Sequence, residues 1–184
     1  MLKKIIFLCV SLTLYGCAVK TPPVLLIPSF QPVSLKIKQI EIINPFREGG
    51  SPLENKLAAA LETWSQKTLK AKGAQKRLLL TFETVKIEAQ NSKAHAPKIT
   101  SLFSPASPRI FEGTVFIRFE ILSSQGKSER MGGISTRRTL PLKDHLTSAE
   151  KDQAIEVLIK KLVIDLDQRV RQSLQEHLPE LLEE

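Results

Sequence analysis

The groups that could carry chemistry are few and scattered. His95, His145 and His177 lie far apart in the chain. A zinc centre takes its ligands at close helical or turn spacing, often with thiolates among them and a second shell behind them. The three histidines have neither, so no metal site is expected. Nucleophilic catalysis needs a hydroxyl or thiol held beside a base. No nucleophile-elbow motif occurs, and no local pattern sets a histidine beside a serine. Asp165 and Asp167 are two apart in a helical stretch, so their carboxylates point to different sides and make no acid–base pair. Met131-Gly132-Gly133 could offer backbone to a phosphate, but no helix N-terminus follows it, and a strand irregularity explains it better. Neither an enzyme nor a cofactor is expected. That leaves two thiols, Cys9 and Cys17.

Lys3 and Lys4 precede an apolar run from Ile5 to Leu14, the charged and apolar regions of a secretory signal. The run is too short to cross a bilayer, which takes ~20 apolar residues. It ends in Leu14-Tyr15-Gly16-Cys17, which resembles the bacterial lipobox. The resemblance implies that residues 1–16 are a lipoprotein signal peptide, cut just before Cys17. It also implies that the thiol carries a diacylglyceryl group and the new amine a fatty acid such as palmitate. Cys9 leaves with the signal, so the mature chain has no cysteine for a disulfide or a thiolate metal site. Two or more acyl chains anchor a protein firmly where one does not. Ala18 stands where an Asp would retain the protein at the inner membrane, so the same resemblance implies the outer membrane, at its periplasmic face.

The chain of 184 residues is 42% hydrophobic, 25% charged and 5% aromatic. That is globular composition with a mostly aliphatic core, in which Trp64, Phe82, Phe116 and Phe119 are the largest candidates. The formal charge of +8 falls to +6 once Lys3 and Lys4 are removed. Outside the cytoplasm the anions to expect are lipid headgroups, lipopolysaccharide phosphates and acidic protein surfaces, not nucleic acid. Lys67, Lys70, Lys72, Lys76 and Arg77 form the densest basic group. Two readings apply to it. One is a solvated helix end that complements the dipole; the other is a contact with anionic headgroups.

Residues 17–34 carry the lipidated cysteine and Pro22, Pro23, Pro28 and Pro32, and read as an extended tether. Val24 to Ile27 are apolar enough either to stay in that tether or to lie against the domain. Residues 35–184 then form one α+β domain. Leu35 to Ile43 reads as a strand whose alternation changes phase near Lys38, implying a bulge or cover on both faces. Ser51-Pro52-Leu53-Glu54 opens a helix with a capping box. Its stripe Leu53, Leu57, Leu61, Trp64, Thr68, Ala71 runs to a stop at Gly73. Leu78 to Ile87 is a second strand, and residues 89–109 are a long polar segment. Ile110 to Leu122 and Ser128 to Leu140 make a hairpin, in which Gly132 and Gly133 mark a bulge or a close backbone approach. Thr147-Ser148-Ala149-Glu150 caps a second helix that continues to Leu178. At ~46 Å it outreaches so small a domain, so one end should project or meet a partner.

The order β-α-β-β-β-α behind a lipidated cysteine resembles the small lipoproteins that serve envelope machines. Examples are the auxiliary lipoproteins of ABC-type transporters and the lipoprotein partner of the lipopolysaccharide-assembly barrel. Within that group the similarity is to uncharacterised Gram-negative members, and it is carried by Trp64, by Leu69-Lys70-Ala71-Lys72-Gly73 and by the long closing helix. It implies a four-stranded sheet with two helices packed on one face, and no catalytic site. The function read from the sequence is an accessory subunit of an envelope transport or assembly complex. Ile99, Leu102 and Phe103, apolar side chains in the long polar segment, are the partner-binding candidates. The alternative is a structural lipoprotein that binds lipopolysaccharide or peptidoglycan directly. A hydrolase is a third reading, for which no residues speak.

Overall fold

Residues 33–43 and 69–81 run side by side in the same direction, and this parallel pair is the seam of the fold. The computed structural model describes residues 27–91, 109–142 and 146–183. Strand β1 (Val33–Leu35) pairs with β3 (Leu69–Ala71), Leu35 opposite Ala71. Strand β2 (Gln39–Ile43) pairs with β4 (Arg77–Asn91), Gln39 opposite Arg77. From one ladder to the next the second segment advances further than the first, so the pairing slips and the sheet breaks in two. The phase change near Lys38 is therefore a break between strands of different sheets, not a bulge within one strand. Backbone hydrogen bonds lace the break: Lys72 N–H to Leu35 O (2.8 Å), Gly73 N–H to Ile37 O (2.8 Å) and Lys38 N–H to Lys76 O (2.7 Å). A Cβ on Gly73 would collide with the backbone of Lys36. Close approach, not a helix stop, is what requires glycine there.

One helical turn, α1 (Phe46–Gly49), precedes α2 (Pro52–Thr68). The capping box forms as the sequence implies, with Ser51 N–H donating to Glu54 Oε2 (2.7 Å) and Glu54 N–H to Ser51 Oγ (3.4 Å). The helix buries Leu57, Ala58, Leu61, Trp64 and Thr68, and Trp64 is 1% exposed. It ends five residues before Gly73, because Leu69 turns extended to join β3. Pairing with β1 outweighs the helical pattern of Lys70 and Ala71, as tertiary context commonly does.

The larger sheet has the order β2-β4-β5-β6, with β5 at Arg109–Leu122 and β6 at Ser128–Pro141. Only the β2–β4 pair is parallel. One face buries Leu78, Leu80, Phe82, Val85 and Ile87 of β4 with Val115, Ile117 and Ile121 of β5. The pairing slips at Glu83, between Phe82 and Thr84, which keeps Phe82 and Val85 on the same face. Helix α3 (Ser148–His177), opened by the Thr147–Glu150 capping box, lies with α2 on that face. Gly113 admits it closely, since a Cβ there would strike Leu162. The fold is α+β, a four-stranded sheet with two long helices on one face, as expected.

Gly132 and Gly133 do not mark a bulge, because the β5–β6 pairing is continuous through them. The rings of Phe119 and Phe116 fill the space their side chains would need. The C-terminal end of α3 does not overhang either. Leu178 and Leu181 are buried, Leu174 packs on the core, and a short 3-10 turn (Pro179–Leu181) closes the end. Lys36 N–H donates to Leu181 O (2.7 Å), and Glu183 N–H to Ser34 O (3.1 Å).

Candidate functional site

Cys17, Ile99, Leu102 and Phe103 lie outside the described residues, as do His95 and His145. His177 sits exposed in the last turn of α3, with Nε2 3.9 Å from Glu176. Among the described residues no group of histidines, cysteines and carboxylates could hold a metal ion. The segment bearing the three apolar candidates joins Asn91 to Arg109, the ends of β4 and β5 farthest from Arg77 and Leu122. Beyond the five residues paired with β2, β4 and β5 run on beside β6, and Val85, Ile87, Phe111 and Val115 stay buried there.

The basic residues come together at the opposite end, although not on a helix. Only Lys67 belongs to the last turn of α2; Lys70 is in β3, Lys72 and Lys76 are in the β3–β4 connection, and Arg77 opens β4. Lys70 still serves the helix dipole, donating from Nζ to Gln66 O at 2.7 Å. Lys76 pairs with Glu129 across the sheet end at 2.7 Å. Lys67, Lys72 and Arg77 have no ion pair among the described residues. The dipole reading thus applies to Lys67 and Lys70 alone.

A second polar group joins α2 to α3. Asp167 is 5% exposed and accepts from Trp64 Nε1 at 2.9 Å and from Arg171 Nε at 2.7 Å. The Arg171 guanidinium also donates to Gln31 O. One carboxylate therefore ties α2 to α3, and its arginine fixes the segment that leads into β1. Asp165 points the other way, as the spacing implied, and binds Arg138 of β6. A buried Trp N–H usually finds an acceptor, but which acid supplies it depends on how α2 meets α3. Local spacing carries no trace of that.

Four charges are shifted by their neighbours. The backbone N–H of Ser51 holds the Glu54 carboxyl below its ordinary value. Hydrogen bonding to Glu88 raises Lys86, to Glu112 raises Arg137 and to Asp165 raises Arg138. Glu112–Arg137 (2.6 Å), Lys86–Glu88 (2.7 Å) and Arg118–Glu83 (2.9 Å) lie on the sheet face turned away from the helices. These ion pairs brace a solvated surface and form no acid–base site.

No protein-family model matches the chain, and no curated protein matches it. Among solved structures it is similar to the minor lipoprotein of Acinetobacter baumannii, at 12% identity and a TM-score of 0.44, over 76% of this chain and 92% of that one. It is also similar to rare lipoprotein B of Shewanella oneidensis, at 17% identity and a TM-score of 0.40, over 75% and 94%. A lipoprotein of Caulobacter crescentus matches at 13% identity and a TM-score of 0.38, over 73% and 86%. Scores and identities this low carry no functional argument.

Proposed function

We propose that the chain is an outer-membrane lipoprotein of the periplasmic face. It works by binding, as a non-enzymatic accessory subunit of an envelope transport or assembly complex. The observation that carries the reading is the N-terminal signal, in which Lys3, Lys4 and the apolar run from Ile5 lead to Leu14-Tyr15-Gly16-Cys17. A diacylated Cys17 places the domain on a membrane for good. The β4–β5 pairing supports a docking role, because it runs to Asn91 and Arg109, the two ends of the segment that contains Ile99, Leu102 and Phe103.

The test joins stability to partner capture. Polar replacement of Leu102 and Phe103 together should change stability by no more than about 1 kcal/mol, as surface changes do. It should also abolish recovery of the partner from detergent-solubilised membranes, since a few apolar anchors dominate most interfaces. A large loss of stability would make the segment a cover for the core. Lipopolysaccharide co-purifying alone, with no stoichiometric protein, would favour direct binding of an envelope polymer.

A further inference from the structure

The break between the two sheets assembles a charged end that no one stretch of sequence contains. Lys36 and Lys38 lie in the β1–β2 connection and are exposed, and the backbone hydrogen bonds across the seam set them beside Lys72 and Lys76. Arg77 pairs with Leu122 in the ladder, and its guanidinium approaches Gly126 in the β5–β6 turn. Lys127 belongs to that turn. Lys36, Lys38, Lys72, Arg77 and Lys127 carry no ion pair among the described residues. The nearby acids are Glu129, engaged by Lys76, Glu180, engaged by Arg130, Glu183, and Glu41 and Glu120, which flank Leu79 two residues along β4 from Arg77.

We infer that this end of the domain rests on the anionic headgroups of the bilayer that holds Cys17. The inference builds on the lipid anchor proposed above. Three observations select a bilayer as the occupant. The cations come from three separate connections and lie at one end, which suits an extended charged surface and not a single small anion. They are side chains on mobile stems with free ammonium or guanidinium groups, the kind that add attraction to a headgroup layer one by one. The tether also reaches: Ile27 and Phe30 already pack on the core, the ten residues before Ile27 span at most roughly 35 Å when extended, and β1 runs from Val33 straight into Lys36. Seated in this way, the domain holds the Asn91 and Arg109 ends of β4 and β5 away from the membrane, because β4 runs from Arg77 at the basic end to Asn91 at the other.

The test uses vesicles added from outside, so it does not depend on lipidation of Cys17. A chain starting at Ala18 keeps every residue of the described core. That chain should sediment with vesicles of phosphatidylglycerol in phosphatidylcholine, and not with phosphatidylcholine alone, and 0.5 M salt should release it, a ~10-fold or greater loss. Replacing Lys36, Lys38 and Lys72 with Gln should lower partitioning by about 100-fold, roughly 5-fold per cation. Replacing Lys151, Lys160 and Lys161 of α3 with Gln removes the same net charge elsewhere and should have little effect. Unchanged circular dichroism and melting temperature would exclude misfolding in either variant. Absence of binding to the anionic vesicles, or equal loss in both variants, overturns the inference. So does binding to soluble polyphosphate with none to the vesicles. Fatty-acid labelling of Cys17 is a separate readout, so a failed anchor and a failed surface contact are told apart.

Discussion

Asp167 accepts hydrogen bonds from Trp64 and Arg171 at a point where α2, α3 and the segment entering β1 meet. Asp167→Ala would leave the Trp64 N–H buried without its acceptor and the Arg171 guanidinium without its counter-charge. It should cost about 3 kcal/mol, the range for hydrogen bonds that involve a charged group. Urea unfolding would read this as a lower midpoint with an unchanged slope. A midpoint that did not move would mean the network is ornamental to the fold. Burial of Trp64 was legible in the sequence, because its place in a four- and three-residue apolar stripe fixes which way it faces. The partnership with Asp167 was not, because the two residues are 103 apart.

At the scale of elements, the starts of both long helices were legible and their relation to the sheet followed, since capping boxes are written in adjacent residues. The end of α2 was not. Thr68, Ala71 and Gly73 continue a helical pattern, and only the arrival of β1 beside Leu69 turns the chain into a strand. The α2 cap offers a pH-sensitive check. Ser51→Ala should cost about 1 kcal/mol at neutral pH. The Glu54 carboxyl is held below its ordinary value by its bond to the Ser51 N–H. Its share of the stability is therefore full above the ordinary carboxylate range and fades as the pH falls through the lowered value. Glu54→Ala should accordingly destabilise at pH 7 and lose its effect in acid, as followed by thermal melts from pH 7 to pH 2. A difference that grows on acidification would contradict the cap.

Seen whole, the described domain has a basic end, a core between the sheet and two helices, and a far end where β4, β5 and β6 finish. The strands and helices behind this arrangement were readable one by one. The convergence of Lys36 and Lys38 on Lys72 and Lys76 was not, because it depends on a parallel pairing between distant segments. The proposed role depends on one residue, Cys17, holding the chain on a membrane. The direct measurement is metabolic labelling of cells with a fatty acid, comparing the natural chain with Cys17→Ser. The account predicts label and membrane residence for the natural chain, and for the variant an unlabelled chain, either uncleaved or soluble. Label retained by Cys17→Ser, or a natural chain that takes up none, would contradict it.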